Sequence, residues 1–238
     1  MSCAGICRVF SSFGYCCTVV RICGRRPCMD GIEGTLKTFS GTSVYDELKT
    51  ILSYYTSIEH DFDDFTRAFS IHCPDVCGRC CQVFIPDVTY LEALAVAFHI
   101  VMVQGRDVSY LETWRDGHRS CPLYDEETHR CSAYAVRPIV CRVFGSAATA
   151  TREGLSFGGC RLPVAPNDRI ARIGHDELVS SGVRIPVMGD YGEAVDIMQR
   201  SSKRRLLDEA ILDCAAKLIF MKRMVQESDD DPSSPLAS

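Results

Sequence analysis

CPDVCGRCC, residues 73–81, places four thiols within nine positions and ends in an adjacent cysteine pair. Thiolates are soft ligands that suit zinc, copper(I) and iron–sulfur clusters. Because the gaps within this run are at most three residues, one loop can turn several thiolates toward a common centre. Gly78 helps the loop's amide groups to hydrogen-bond to the sulfurs and offset their charge. The stretch predicts a metal-binding loop around which the rest of the chain is arranged.

A second set of cysteines lies downstream, and nine residues separate the first from the second and the second from the third. Pro138 stands between the second and third of them. It removes a backbone donor and forces Arg137 out of helical geometry, so any helix there is short. Such a segment presents its thiols from loops. The predicted metal ligands are the eight cysteines of both sets: Cys73, Cys77, Cys80, Cys81, Cys121, Cys131, Cys141 and Cys160.

Two kinds of metal group fit these cysteines. Zinc sites often mix histidine with cysteine, but the nearby histidines His72, His118 and His129 show no finger-like pairing. Cysteine-only ligation suits a zinc knuckle and an iron–sulfur cluster equally well. The adjacent Cys80 and Cys81 are difficult to place on one tetrahedral ion, which favours more than one metal atom. Spacing alone gives the two groups equal weight.

The composition narrows the class of protein. The chain has 238 residues, 46% of them hydrophobic, and a formal net charge of −5. It lacks the basic field that attracts nucleic acid, and no apolar run is long enough to span a membrane. The fifteen cysteines would suit a secreted disulfide scaffold, but arginines follow the apolar run 9–20 rather than precede it, unlike a signal peptide. Clustered thiols in a reducing cytosol bind metal more often than they form disulfides, so we expect a cytoplasmic protein.

The periodicity predicts a mainly α protein with small β content, in which an irregular, cysteine-clustered metal-binding core packs on helices. Apolar residues recur every three or four positions from Val44 to Phe69, with Ser43 as the start signal, which predicts one long helix or a pair of helices broken near Glu59–His60. Thr89 and Glu92 form a capping-box pattern before a buried helix over 90–104. Residues 203–223 form an amphipathic helix whose apolar stripe includes Cys214, which we assign to packing.

Five regions follow from these patterns. Residues 1–28 hold six cysteines without a clear period. They fit a second metal module, a membrane-associated leader or an extension that precedes a true start at Met29, and we favour the last. The predicted regions are 1–28, a disordered or mis-called extension; 29–72, a helical lead-in; 73–162, the cysteine-cluster core; 163–225, an irregular segment plus a C-terminal helix; and 226–238, a disordered acidic tail.

The cysteine pattern resembles that of the CxxCxxCC family, the YkgJ-like cysteine-cluster proteins. The resemblance covers about residues 73–160. It rests on Cys77-Gly-Arg-Cys80-Cys81, a Glu-bearing apolar helix, Cys121-Pro-Leu, and the run from Cys131 through Arg137-Pro138 to Cys141-Arg142-x-Phe144. It implies zinc or iron chelation. The metal-binding part of flagellin lysine methylases is similar, which together with the eight thiols favours an iron–sulfur cluster, of the 4Fe–4S type, over zinc.

Within this resemblance, Arg137 and Arg142 match the family's Arg-Pro and Cys-Arg positions. They either balance the charge of thiolates or form ion pairs elsewhere. We predict a metal-binding protein that holds an iron–sulfur cluster. The alternatives are a zinc-stabilised interaction module and a redox or lysine-methylation-related enzyme. The sequence leaves open which protein or small molecule is its partner.

Overall fold

The computed structural model describes residues 30–71, 78–158 and 173–230. The predictions made for residues 1–28 lie outside these ranges. The described chain is mainly helical, with three short antiparallel ribbons, as the sequence predicts. Its helices are α1 (Asp30–Leu36), α2 (Ser43–Ala68), α3 (Tyr90–Ala97), α4 (Trp114–Gly117), α5 (Ile139–Val143), α6 (His175–Ser181), α7 (Met188–Gln199) and α8 (Leu207–Asp230). Its strands are β1 (Asp87–Val88), β2 (Tyr124–Asp125), β3 (Arg130–Cys131), β4 (Ala148–Thr151), β5 (Gly154–Phe157) and β6 (Arg205–Leu206).

Helix α2 is the longest helix, and it buries the apolar stripe that the sequence predicts. Of the two alternatives that the sequence leaves open, the structure has the single helix, since α2 runs unbroken through Glu59–His60 for 26 residues. The start signal is one residue earlier than predicted. The cap is Thr42, whose hydroxyl oxygen accepts a hydrogen bond from the backbone of Tyr45 at 3.3 Å.

The capping box at the start of α3 is confirmed. Thr89 Oγ1 accepts from the Glu92 backbone at 3.4 Å, and Glu92 Oε2 accepts from the Thr89 backbone at 2.8 Å. The predicted helix over 90–104 changes character after Ala97, because Phe98–Val103 forms a π-helical segment. His99 on this segment is buried, and Gln104 bonds its Nε2 at 3.0 Å. Burial lowers the pKa of His99 to about 4, so it is a neutral core histidine.

Two of the three strand pairs in the described chain join neighbours in sequence, and the third joins distant segments. β2 pairs with β3 and β4 with β5, so each couple is a local hairpin, whereas β1 pairs with the distant β6. The hairpin of β4 and β5 turns at Arg152 and Glu153, and Gly154 follows with φ 120°, a conformation that glycine adopts without strain. The pairing of β1 with β6 brings the start of α3 next to the start of α8.

One main core joins α1, α2, α3 and α8. Helix α3 is buried on every side from Leu91 to Ala97, as its nearly continuous apolar sequence predicts. A smaller cluster holds the end of α2 against α6, through Phe65, Phe69 and Leu178. Cys214 is buried in the main core, where we expect a packing thiol. Within the described residues, none of the helices is both long and apolar enough to cross a membrane.

Two expectations for the C-terminal third are wrong. The segment predicted to be irregular contains α6 and α7, and α7 packs through its buried Tyr191 and Val195 although its own apolar period is weak. The predicted disordered tail begins too early, since α8 continues through Asp230. Residues 231–238 lie outside the described ranges.

The Glu92 carboxylate also connects two helices that are distant in sequence. Its Oε1 accepts a hydrogen bond at 2.9 Å from the backbone of Ile139, the first residue of α5. Glu92 is 4% exposed. One buried carboxylate therefore caps α3 and fixes the start of the helix that carries Cys141.

Replacing Glu92 should destabilise the fold. Glu92→Ala leaves buried donors of Thr89 and Ile139 without a partner, which costs about 3 kcal/mol of unfolding free energy. Urea unfolding followed by circular dichroism measures this loss. Glu112→Ala, an exposed change, is the matched control and should stay within about 0.5 kcal/mol of wild type. Equal losses for the two variants would contradict the bridging role.

Candidate metal centre

Four predicted ligands from three parts of the chain line one small cavity. Cys80 and Cys81 lie in the 3₁₀ turn Arg79–Gln82, Cys121 precedes β2, and Cys141 lies in α5. The remaining walls are the apolar side chains of Phe84, Pro86, Val140 and Phe144. The cavity measures about 20 Å³, which is room for about one water-sized particle.

Backbone contacts hold the first cysteine segment on the second. The Cys121 backbone N–H donates to the Cys81 carbonyl oxygen at 2.6 Å. Gly78 lies so close to the β2–β3 hairpin that a Cβ there would be 2.5 Å from both the His129 carbonyl oxygen and Tyr124 Cε2. Only glycine allows this approach, so the residue has a steric role in addition to the amide role that the sequence indicates.

The adjacent cysteines face each other across 4.0 Å, measured from Sγ to Sγ. Both are reduced thiols. A hydrogen bond from Cys81 lowers the pKa of Cys80, and the nearby Arg137 guanidinium acts in the same direction, so the fold favours the thiolate form of Cys80. Donating that bond, together with burial, raises the pKa of Cys81. The pair therefore contains one ready metal ligand and one that a cation must deprotonate.

The other thiols of the neighbourhood are held in the neutral form by burial. Burial raises the pKa of Cys121 to about 12 and also raises the pKa of Cys141 and of Cys131, the last of which lies on β3. Repulsion from negative charge on Cys131 and Cys80 raises the pKa of both Cys121 and Cys141 further. If these thiols lose their protons, the resulting thiolates repel one another and need a positive counter-charge. A metal ion bound here would supply that charge and would take the place of the thiol protons.

Arg142 is a structural residue. Its side chain is 1% exposed and pairs with the Glu59 carboxylate of α2. Its other guanidinium nitrogens donate to the carbonyl oxygens of Arg137 at 2.9 Å and Ala135 at 2.5 Å. The guanidinium carbon also lies 3.9 Å from the centre of the Tyr55 ring. The ion-pair interpretation of Arg142 is confirmed, since this side chain ties the Cys131–Cys141 segment to α2.

Arg137 supports the other interpretation. Its guanidinium carbon lies 3.8 Å from the centre of the Tyr134 ring. Its positive charge lowers the pKa of Cys80. At Cys131 and Cys141 the same charge offsets part of the increase in pKa that burial causes. Arg137 thus acts through its charge on the thiols, whereas Arg142 anchors the segment and also favours the thiolate form of Cys131.

The eight predicted ligands differ in what the structure describes. Cys80, Cys81, Cys121 and Cys141 come together, and the charge of Cys131 affects them. Cys73, Cys77 and Cys160 lie outside the described ranges, as does His72. His118 stacks on Trp114 at 3.9 Å, and His129 Nδ1 is 3.0 Å from Tyr124 Oη, so both rings have other partners.

Sequence reasoning missed the residues that support the thiols from a distance. Glu59 on α2 is one of them, because its carboxylate pairs with the buried guanidinium of Arg142. Its spacing of four from Tyr55, a stripe residue, was the available signal. Phe84 and Phe144 lie with their ring centres 6.4 Å apart beside the thiols, a contact that no local pattern predicts.

The thiols that line the cavity are ligands that a thiophilic metal prefers, but their spacing would have to change for one ion to bind them all. Across residues 30–71, 78–158 and 173–230, no three side chains of His, Cys, Asp or Glu are already arranged to hold an ion. The Cys80–Cys81 pair is close enough for two thiolates on one ion. Further sulfurs reach it only by a shift of the cavity walls or from cysteines outside these ranges, such as Cys77, which directly precedes Gly78.

A methyl group at Gly78 should separate the two cysteine segments. Gly78→Ala is expected to cost about 2 kcal/mol of unfolding free energy by overpacking against the hairpin, and to lower the bound metal per chain. Gly117→Ala is the matched control, because a Cβ there meets nothing within 4 Å. Denaturant unfolding and elemental analysis measure both effects. Wild-type stability and metal content in Gly78→Ala would contradict the steric role.

Comparison with known proteins gives one family. The model of the CxxCxxCC family, described as "Putative zinc- or iron-chelating domain", matches residues 72–158. No curated protein and no solved structure matches the chain. The matched segment begins at the cysteine run and ends after the β4–β5 hairpin, and it includes seven of the eight predicted ligands. Residues 72–158 of this chain are therefore similar to the CxxCxxCC family, whose described role is the chelation of zinc or iron.

Proposed function

We propose that the domain binds a single zinc or iron ion through cysteine thiolates, with Cys80 and Cys81 on the same ion. The observation that carries the proposal is their Sγ–Sγ distance of 4.0 Å. Metal–sulfur bonds of about 2.3 Å in a tetrahedral site put two sulfurs about 3.8 Å apart. The pair is therefore near the spacing that one ion requires, although the sequence favours more than one metal atom for adjacent cysteines.

The surroundings support the same proposal. The cavity beside the pair has room for one small particle, and two further thiols, Cys121 and Cys141, line it. Its other lining side chains are apolar, which lowers the polarity around the sulfurs and strengthens electrostatic attraction. Such an all-sulfur site suits a structural or storage role.

An iron–sulfur cluster is the second candidate, and the number of thiols favours it. Five described cysteines influence one another's charge, and Cys73, Cys77 and Cys160 bring the set to eight. Four thiolates satisfy one tetrahedral ion, so eight exceed the need of a single zinc site. A 4Fe–4S cluster also takes four thiolates, so the set of eight leaves room for a cluster beside a second metal site, and a cluster would serve a redox or lysine-methylation-related activity. Either centre requires reduced thiols, in keeping with a cytoplasmic location.

The identity of the metal can be measured on native protein. Elemental analysis and a visible spectrum on anaerobically purified chain distinguish the two candidates. Stoichiometric zinc in a colourless protein, or iron without acid-labile sulfide, supports the mononuclear site. Iron with equimolar acid-labile sulfide and a brown colour that dithionite bleaches supports the cluster.

Substitutions then test which thiols take part. Cys80→Ser removes a proposed ligand and should reduce bound metal at least about tenfold, the effect expected for loss of a ligand or its support. Cys214→Ala is the matched control, because this buried core thiol should leave metal content unchanged. Loss of metal in Cys214→Ala, or full retention in Cys80→Ser, would show that the ligand set is wrong.

A further inference from the structure

A second cavity, of about 440 Å³, opens between the start of α3, the β1–β6 ribbon and α8. Its volume lies within the range of small-molecule pockets, about 300–1,000 Å³. It shares no lining residue with the thiol cavity. The metal-binding proposal therefore leaves this cavity unexplained.

The floor of the second cavity is apolar and firmly packed. It consists of Val88, Ala93, Ala210 and Cys214, all of which are at most 6% exposed. The space exists because the helices facing each other here, α3 and α8, present alanines. Burial raises the pKa of Cys214 to about 12, so its thiol is neutral at physiological pH and adds to the apolar surface.

The rim carries three cations, and two of them already have partners. Arg205 pairs with Asp213, and with Glu209 at 3.7 Å. Lys217 Nζ pairs with the Glu47 carboxylate at 3.1 Å and also bonds the Tyr90 hydroxyl. These carboxylates neutralise both cations, which therefore attract a further anion only weakly.

Lys203 is the exception on this rim. Its ammonium group makes no ion pair or hydrogen bond with any residue that the structure describes. Its backbone is nevertheless held in place, because Lys203 N–H donates to Ser201 Oγ at 3.1 Å. Gln199 Nε2 in turn donates to the Ser201 carbonyl oxygen at 2.6 Å. The cavity thus combines an apolar floor with one uncommitted positive charge on an ordered rim.

We propose that this cavity binds a small organic monoanion, a carboxylate with an apolar body, whose charged group pairs with Lys203. The apolar body covers Val88, Ala93 and Ala210 and removes their remaining surface from water. A second negative charge on the ligand has no uncommitted cation to meet, because Glu47 and Asp213 already hold Lys217 and Arg205. A neutral ligand leaves the Lys203 charge unused.

Octanoate is the probe that tests this site, with isothermal titration calorimetry on the full chain. We expect saturable binding of one octanoate per chain. Lys203→Glu should weaken that binding about tenfold, the effect of losing one hydrogen bond to a charged group. Lys222→Glu, the same charge change at an exposed position of α8 outside the cavity, should leave octanoate binding unchanged.

Two further ligands complete the test. Octanamide, which has the same chain without the charge, should bind wild type and Lys203→Glu equally. Inorganic phosphate should not displace octanoate, since it has no apolar body. Absence of saturable octanoate binding, an equal loss in Lys203→Glu and Lys222→Glu, or displacement by phosphate overturns the proposal.

Discussion

The hydrogen bond from the Cys121 backbone to the Cys81 carbonyl oxygen, 2.6 Å long, fixes the contact on which the rest of the domain depends. It joins the end of the first cysteine run to the start of the second set, forty residues later in the chain. Gly78 permits this contact by leaving room for the hairpin of β2 and β3. Glu92 and Arg142 then fix the segment that carries Cys141 to α3 and α2. Backbone and charged contacts thus bring together the cysteine segments that line the thiol cavity.

The electrostatics of the gathered thiols explain why a cation suits the place. Burial favours neutral thiols, and their mutual repulsion adds to that preference. Arg137 supplies one compensating charge, whereas the charge of Arg142 is taken by Glu59. One guanidinium cannot balance several thiolates, so a divalent ion adds what the protein lacks. The Cys80 thiolate is the natural first ligand, because it is the thiol whose charged form the fold already stabilises.

Features with a local signal could be predicted from the sequence. The capping box of Thr89 and Glu92 follows from two residue types at a fixed spacing, and the stripe of α2 follows from a regular apolar period. Helix α7 has no comparable signal. Its sequence contains Gly189 and Gly192, and it is held by tertiary contacts such as the bond from Tyr54 Oη to the Tyr191 carbonyl oxygen, 3.3 Å long. Tertiary packing overrides weak propensity in such a segment.

At the candidate metal site too, contacts between residues that are close in sequence could be predicted, and contacts between distant residues could not. Spacing within 73–81 predicts that those thiols turn toward a common centre. It cannot predict that Glu59 meets Arg142, since these residues are 83 positions apart. The eight-cysteine ligand set remains a prediction, although four of its members line one cavity. Which thiols approach one another depends on how the loops that carry them pack together. That packing depends on contacts such as the fit of Gly78 against the hairpin of β2 and β3.

The central claim is that sulfur atoms from both cysteine segments bind one inorganic centre. X-ray absorption spectroscopy at the metal edge of the native, metal-containing protein tests it most directly, because it reports the elements and distances around the absorbing ion. We expect the atoms bonded to the metal to be mainly sulfur, at about 2.3 Å. A shell of nitrogen and oxygen atoms at about 2.0–2.2 Å, without sulfur, would contradict it.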